Sequence, residues 1–303
     1  MQIKEKIKRT KQQEEAWRFF NNKAQEWDSK ASGQITNKVN VIKQRNDYVL
    51  GILKRLPEAK YLLDIGSGVG DLVCEAAKMG IKATGIDIAG GMVDLAHKRA
   101  IDDKLNLAEF ILADYFDWHV DDASYDVVVA NGFIEYVSYE QRDDFFNDAY
   151  RILKPGGSLI VSARNRLFNV MSANDYTREE IESGTIEQLV NEMVALGNRT
   201  KISELLNMES VPLQKEDMKH AATGIDVNCR YQYTPIQLMK MMDRESFKVA
   251  GVSPIHIHIG PPSFKEEQPQ VHYEIAKLMQ KYAVNNLRLI GAASAFMIHG
   301  VKE

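Results

Sequence analysis

One ten-residue stretch constrains the fold more than any other: Leu62-Leu63-Asp64-Ile65-Gly66-Ser67-Gly68-Val69-Gly70-Asp71. A short apolar run, Tyr61–Ile65, ends in glycines, and a segment of helical periodicity, Asp71–Met79, follows at once. This is the pattern of a buried strand turning into a helix. Glycine lets the backbone turn sharply and approach a ligand with no Cβ in the way. The helix N-terminus behind it presents unpaired N–H groups. The glycines fall as G-x-G-x-G, whereas the nicotinamide-dinucleotide fingerprint needs G-x-G-x-x-G. The residue that would complete that fingerprint is Asp71, which puts a carboxylate where a pyrophosphate would seek the helix. A further carboxylate, Asp87, ends the next apolar run, 17 residues beyond Gly70. At the end of a second strand it can accept both hydroxyls of a ribose.

Strands and helices alternate from there. Ala83–Ile88, Phe110–Ala113, Tyr125–Ala130 and Ser158–Ala163 read as strands, and Met92–Ala100 as a helix. Another helix opens on Ser138 and Gln141 at capping-box spacing and ends at Lys154-Pro155-Gly156-Gly157. Continuous apolar strands separated by helices predict a parallel sheet covered on both faces, and right-handed crossovers make it doubly wound. After Ala163 the rhythm breaks into polar helices, with Thr177/Glu180 and Thr185/Gln188 at capping-box spacing. It resumes at Thr234-Pro235-Ile236-Gln237 and continues through strands at Phe247–Ile259 and Ala292–Gly300. The chain therefore divides into an N-terminal helical cap segment (1–56), a cofactor-binding core (57–163), a helical insertion forming a substrate lid (164–232) and the rest of the sheet (233–303).

Composition narrows the function classes. With 303 residues, 45% hydrophobic and 26% charged, the chain has the make-up of a globular protein. No run reaches the ~18–20 apolar residues of a membrane span, and the charged MQIKEKIKRTKQQEE start lacks the apolar core of a secretory signal. A cytoplasmic protein without a membrane partner is expected. A net charge of -4 with no basic stripe argues against nucleic acid as the partner. Cys74 and Cys229 are too isolated for a disulfide framework or a zinc knuckle.

The motifs DIGSGVGD, the GID ending at Asp87, ADYFD, YDVVVANGFIEYV and RILKPGG together resemble those of the class I S-adenosylmethionine-dependent methyltransferases. The resemblance covers roughly residues 59–163 and the helix–strand pattern after Thr234. It implies a Rossmann-like, mostly parallel seven-stranded sheet and S-adenosyl-L-methionine as cofactor. By position, Gly66, Ser67 and Gly68 would lie against its amino-acid portion, Gly70 would belong to the same cofactor-binding loop, and Asp64 would help hold its ammonium. Asp87 would bind the ribose hydroxyls, Ile88 and Met92 would pack on the adenine, and Asp114 with Tyr115 would meet the adenine amino group. Asn131 would border the transferring methyl. The segment Asn131-Gly132-Phe133-Ile134 departs from the Asn-Pro-Pro-Tyr pattern of adenine and glutamine methylation. A small-molecule acceptor fits better, methylated on oxygen or nitrogen.

Acceptor-side candidates lie at the carboxyl ends of the strands, where open α/β sheets bind ligands. Trp17, Phe19, Phe20 and Trp27 are candidate aromatic walls. His220, His256, His258 and Glu135 are candidate bases, although an amine acceptor needs none. His256 and His258 alternate with isoleucines and share a strand face. A metal site would need a third ligand; His272, on a helix the sequence does not place, is the only one nearby, so no metal is expected. Arg164, Arg166, Arg230 and Tyr231 suit a polar or acidic metabolite such as a sugar, unless the arginines pair with acidic residues of the lid. A homodimer is admitted. Two rival readings stand beside the methyltransferase: a nicotinamide-dependent oxidoreductase, and a non-catalytic S-adenosylmethionine-binding interaction module.

Overall fold

Four of the five residues of the first strand, β1 (Tyr61–Ile65), are buried, Asp64 among them. Such a strand needs cover on both faces, and the computed structural model supplies it. The structure describes residues 11–31, 39–198, 201–214 and 231–303. Three helices lead in: α1 (Lys11–Asn22), α2 (Ala24–Ala31) and α3 (Val41–Leu53). Then come β1, α4 (Asp71–Lys78), β2 (Lys82–Asp87), α5 (Gly90–Asp102), β3 (Ala108–Leu112), β4 (Tyr125–Asn131), α6 (Tyr139–Ile152) and β5 (Leu153–Asn165). The insertion carries α7 (Asn169–Ser172), α8 (Asp175–Glu182), α9 (Ile186–Gly197) and α10 (Ile202–Asn207). The chain closes with β6 (Gln232–Tyr233), α11 (Pro235–Arg244), β7 (Phe247–Ile257), α12 (Pro262–Glu267), α13 (Pro269–Ala283) and β8 (Ala293–Lys302).

Seven strands form one sheet in the order β3-β2-β1-β4-β5-β8-β7, and the two-residue β6 pairs with β5. The β1 to β5 ladders are parallel, and β8 runs antiparallel between β5 and β7. The α/β, mostly parallel architecture is thus the expected one. Strand order reverses at β1, since β2 lies on one side of it and β4 on the other, and ligands of such sheets bind at that point. Because β8 runs backwards, β7 points the same way as β5, so its carboxyl end joins the functional edge. Two apolar clusters sandwich the sheet: one on α6, α11 and the insertion (Phe145, Phe146, Leu189, Leu205, Met242), the other on α3, α4 and α5 (Ile52, Val73, Ala96).

Local details depart from the expected pattern where side chains found other partners. Ser138/Gln141 form the anticipated capping box, and Thr234/Gln237 form another at the start of α11. Thr177 instead sits at the third position of α8, whose cap is Asn174. Thr185 precedes α9 without capping it, because its hydroxyl donates to Glu180. The Lys154-Pro155-Gly156-Gly157 turn is absorbed into β5 as a bulge, the pairing with β4 jumping from Tyr125↔Leu153 to Val127↔Ser158.

Candidate active site

The glycine loop does two separate jobs. Gly66, Gly68 and Gly70 all have left-handed φ, +71°, +53° and +78°, which glycine adopts at no steric cost. Gly66 and Gly68 line a cavity over the carboxyl ends of β1, β2 and β4. Gly70 does not: a Cβ there would lie 2.5 Å from the Phe110 ring and 2.8 Å from Ala96 Cβ. Its place among the expected cofactor residues is corrected to a packing position beneath the loop.

The structure brings Asp64, Ser67, Asp87, Ile88, Met92, Asp114, Tyr115 and Asn131 together in the lining of this cavity. Asp87 closes the loop by accepting the Gly68 N–H (2.9 Å) on Oδ2 and the Ala89 N–H (2.8 Å) on Oδ1. Each oxygen keeps a further lone pair for a ligand hydroxyl. Asp114 accepts from the Phe116 N–H at 3.1 Å and from Gln13 Nε2 at 3.1 Å. Asn131 donates to Asn46 Oδ1 at 3.2 Å. Three buried polar atoms on this wall, Asp64 Oδ1, Ser67 Oγ and Asn131 Oδ1, have no protein partner. An orphaned buried acceptor costs free energy unless something bonds it, so the wall is complementary to a polar, cationic ligand.

Burial, with Asp87 and Asp71 nearby, pushes the Asp64 carboxyl well above its ordinary range. Asp87 is raised too, by burial offset by its backbone N–H donors. A carboxyl with a raised folded-state pKa favours folding below its ordinary pKa and loses that contribution as pH rises through the raised value. The charged form of Asp64 is therefore the one the unliganded fold disfavours. Asp64→Asn should raise the melting temperature of the free protein, by a stabilisation of about 1–2 kcal/mol, while weakening S-adenosylhomocysteine. Calorimetric scans with and without that ligand check both signs, and a lower melting temperature for free Asp64→Asn would contradict this account.

The roof comes from the N-terminal helices. Gln13 reaches Asp114, Asn21 Oδ1 accepts the Gly91 N–H at 3.1 Å, and Arg99 ties Asp28 of α2 to Asp71 of α4. Phe20 and Trp27 line the cavity, with Phe20 edge-on to both Trp27 and Tyr136. Trp17 and Phe19 are not in the lining. Sequence reasoning missed Gln13, Arg45, Asn46 and Phe133, which also line it; nothing in their local pattern marks them. No described lining residue comes from 164–232, so among the described residues the insertion packs beside the sheet instead of roofing the cavity.

The acceptor-side candidates scatter. His220 and Arg230 lie outside the described residues. Glu135 is fully buried, with Arg45 Nη2 at 3.4 Å, and its carbonyl accepts the Tyr231 N–H. It is part of an internal ion pair, not a base facing the cavity. Arg166, 4% exposed, makes a two-pronged pair with Glu180 at 2.7 Å on each arm and also donates to the Pro212 carbonyl. Its guanidinium is spent inside the insertion. Arg164 lies over the Tyr176 ring. Tyr231 is buried against Tyr139, ring centroids 4.6 Å apart. His256 and His258 stand at the end of β7 outside the cavity lining, and α13 brings His272 against them. Burial and the neighbouring charges of His272 and Lys265 push His258 down to about 3, so it is neutral near pH 7.

Residues 63–161 match the family model described as a methyltransferase domain. That segment is a methyltransferase domain, and it is the stretch whose motifs resemble those of the class I S-adenosylmethionine-dependent methyltransferases. The chain's methyltransferase segment is 28% identical over 131 residues to a sterol 4-C-methyltransferase of Caenorhabditis elegans, covering 42% of this chain and 36% of that one. It is 35% identical over 125 residues to a ubiquinone/menaquinone biosynthesis C-methyltransferase of Cereibacter sphaeroides, 39% of this chain and 47% of that one. The chain thus spans a third to a half of these curated relatives. A Haloferax volcanii methyltransferase solved in complex with the Trm112 methyltransferase activator shares the fold at 17% identity, with a TM-score of 0.55 over 93% of this chain and 96% of that one.

Proposed function

We propose that the protein methylates an oxygen or nitrogen of a small molecule with an apolar or aromatic body, using S-adenosyl-L-methionine. The observation that carries this is the cavity wall, where Asp64, Asp87, Asp114 and Asn131 surround the glycine loop and the buried Asp64 Oδ1 and Asn131 Oδ1 have no protein partner. When bound, the cofactor supplies an electrophilic methyl group on a positively charged sulfur. The residues present fit it: Asp64 toward an ammonium, Asp87 toward ribose hydroxyls, and Ile88 and Met92 against a purine. The same carboxylates oppose a pyrophosphate, which disfavours the oxidoreductase reading.

The rest of the cavity supplies an apolar wall, with Phe20, Trp27, Ile42, Phe133 and Tyr136. Apolar walls exclude water and hold a reactant in line, which is most of what such a displacement needs. With Arg166 paired to Glu180, the argument for an acidic or sugar acceptor loses its main support. Among the described lining residues there is no histidine, lysine or glutamate, so the reading favours an acceptor that reaches its reactive, deprotonated form in solution.

Asp87→Ala should weaken S-adenosylhomocysteine about tenfold to a hundredfold in a calorimetric titration, the usual effect of leaving polar partners unmatched. Unchanged affinity would remove the ribose from this position. A labelled-methyl assay across phenols and amines then separates enzyme from binding module: tight cofactor binding with no methylated product favours the module.

A further inference from the structure

We propose that His256, His258 and His272 together bind one divalent transition-metal ion of the zinc class. Two of the imidazoles come from the carboxyl end of β7 and the third from the first turn of α13. Their ring nitrogens include a set that all lie within 4.8 Å of one another. Tetrahedral zinc, with metal–nitrogen bonds of 2.0–2.1 Å, needs ligand nitrogens about 3.4 Å apart, so side-chain rotations of about an ångström close the set. Metal binding at this site is independent of the methyl-transfer reading.

A second observation points the same way. Both ring nitrogens of His258 and Nε2 of His272 are buried without any partner. These residues are 6% and 3% exposed. Imidazoles serving only as packing beside the Phe168 ring, 4.6 Å from His258, would leave those nitrogens unsatisfied at a cost phenylalanine would not incur. His256 is fixed differently. Its Nδ1 lies 2.7 Å from Ser294 Oγ, and a hydrogen bond there leaves Nε2 free to ligate, the usual way an outer partner orients a metal-bound histidine. Its backbone φ of +57° is one that few non-glycine residues adopt, a strain that a defined side-chain position would account for.

The chemistry of the set selects the metal. Three neutral imidazoles with no carboxylate suit zinc, cobalt or nickel, and not magnesium or calcium, which seek oxygen. Lys265 of α12, close enough to depress the His258 and His272 pKa values, opposes a dication and lowers the affinity without removing a ligand. Three protein ligands leave one position open, here at the sheet edge shared with β5.

The test uses full-length, tag-free protein stripped with chelator and titrated with Co2+, whose visible absorption reports tetrahedral coordination. One Co2+ per chain is expected, displaced by one equivalent of Zn2+ and untouched by excess Mg2+. His258→Ala and His272→Ala should each weaken Co2+ at least tenfold, and the double variant should abolish the spectrum. Circular dichroism and a cooperative thermal melt of each variant verify the fold. Should a variant fail that check, a Zn2+-dependent rise in the wild-type melting temperature, absent with Mg2+, still reads binding. No cobalt spectrum and no thermal shift in the wild type, or the same spectrum in a folded double variant, would overturn the site. Equal competition by Mg2+ would overturn the metal class.

Discussion

Gly70→Ala will unfold the protein more readily than any other single-methyl change in the glycine loop, at a cost of about 2–5 kcal/mol. Two penalties add. A non-glycine residue at φ +78° gives up roughly 1–2 kcal/mol, and the new Cβ would meet the Phe110 ring at 2.5 Å and Ala96 at 2.8 Å. Overfilling a packed core costs a further ~1–3 kcal/mol. Gly68→Ala is the matched control, because a Cβ there meets nothing within 4 Å. It should lose only the backbone penalty while impairing cofactor binding, since Gly68 lines the cavity and its new methyl would stand in open space there. Denaturant melts of the two variants decide the matter. Equal loss of stability would mean that Gly70 is not a packing position.

Glu180→Ala should cost about 3–5 kcal/mol, the penalty of leaving a buried charge without its partner. Arg166 and Glu180 are 4% and 3% exposed, and the carboxylate is held below its ordinary range despite burial, by Arg166, Thr185 and Asn169. A carboxylate with a lowered folded-state pKa contributes stability above its ordinary pKa and loses it as pH falls through the lowered value. The insertion should therefore loosen in acid. Replacing both partners by apolar residues, Arg166→Met with Glu180→Leu, should recover much of the loss. If Arg166→Met altered acceptor KM and left the melting temperature unchanged, the guanidinium would belong to the substrate site after all.

The sheet was legible because its signals are local. β1 is recovered residue for residue, and the other main strands fall within a few residues except at the β5 bulge, where Gly156 and Gly157 let pairing skip. The positions of Asp64, Asp87, Asp114 and Asn131 along one cavity were legible because each lies at or beside the carboxyl end of a strand, and those ends converge at the order reversal. What local pattern could not give was partnership. Arg166 and Glu180 are 14 residues apart and Arg45 and Glu135 are 90 apart, and no periodicity reports such pairs. The placement of the insertion and the convergence of His272 on His256 and His258 likewise depend on how α13 docks, which is decided by packing alone.

The polar links that fasten the cavity's ceiling include Gln13 to Asp114, Asn21 to Gly91 and Asp28 to Arg99. On the proposed function, a nucleoside held in this cavity lies beneath those fastenings, and loosening them should shorten its stay, which a dissociation-rate measurement on Asp28→Asn would read. Ionic strength, which acts on the Asp28–Arg99 clasp more than on the aromatic contacts, becomes a handle on how long each nucleoside stays.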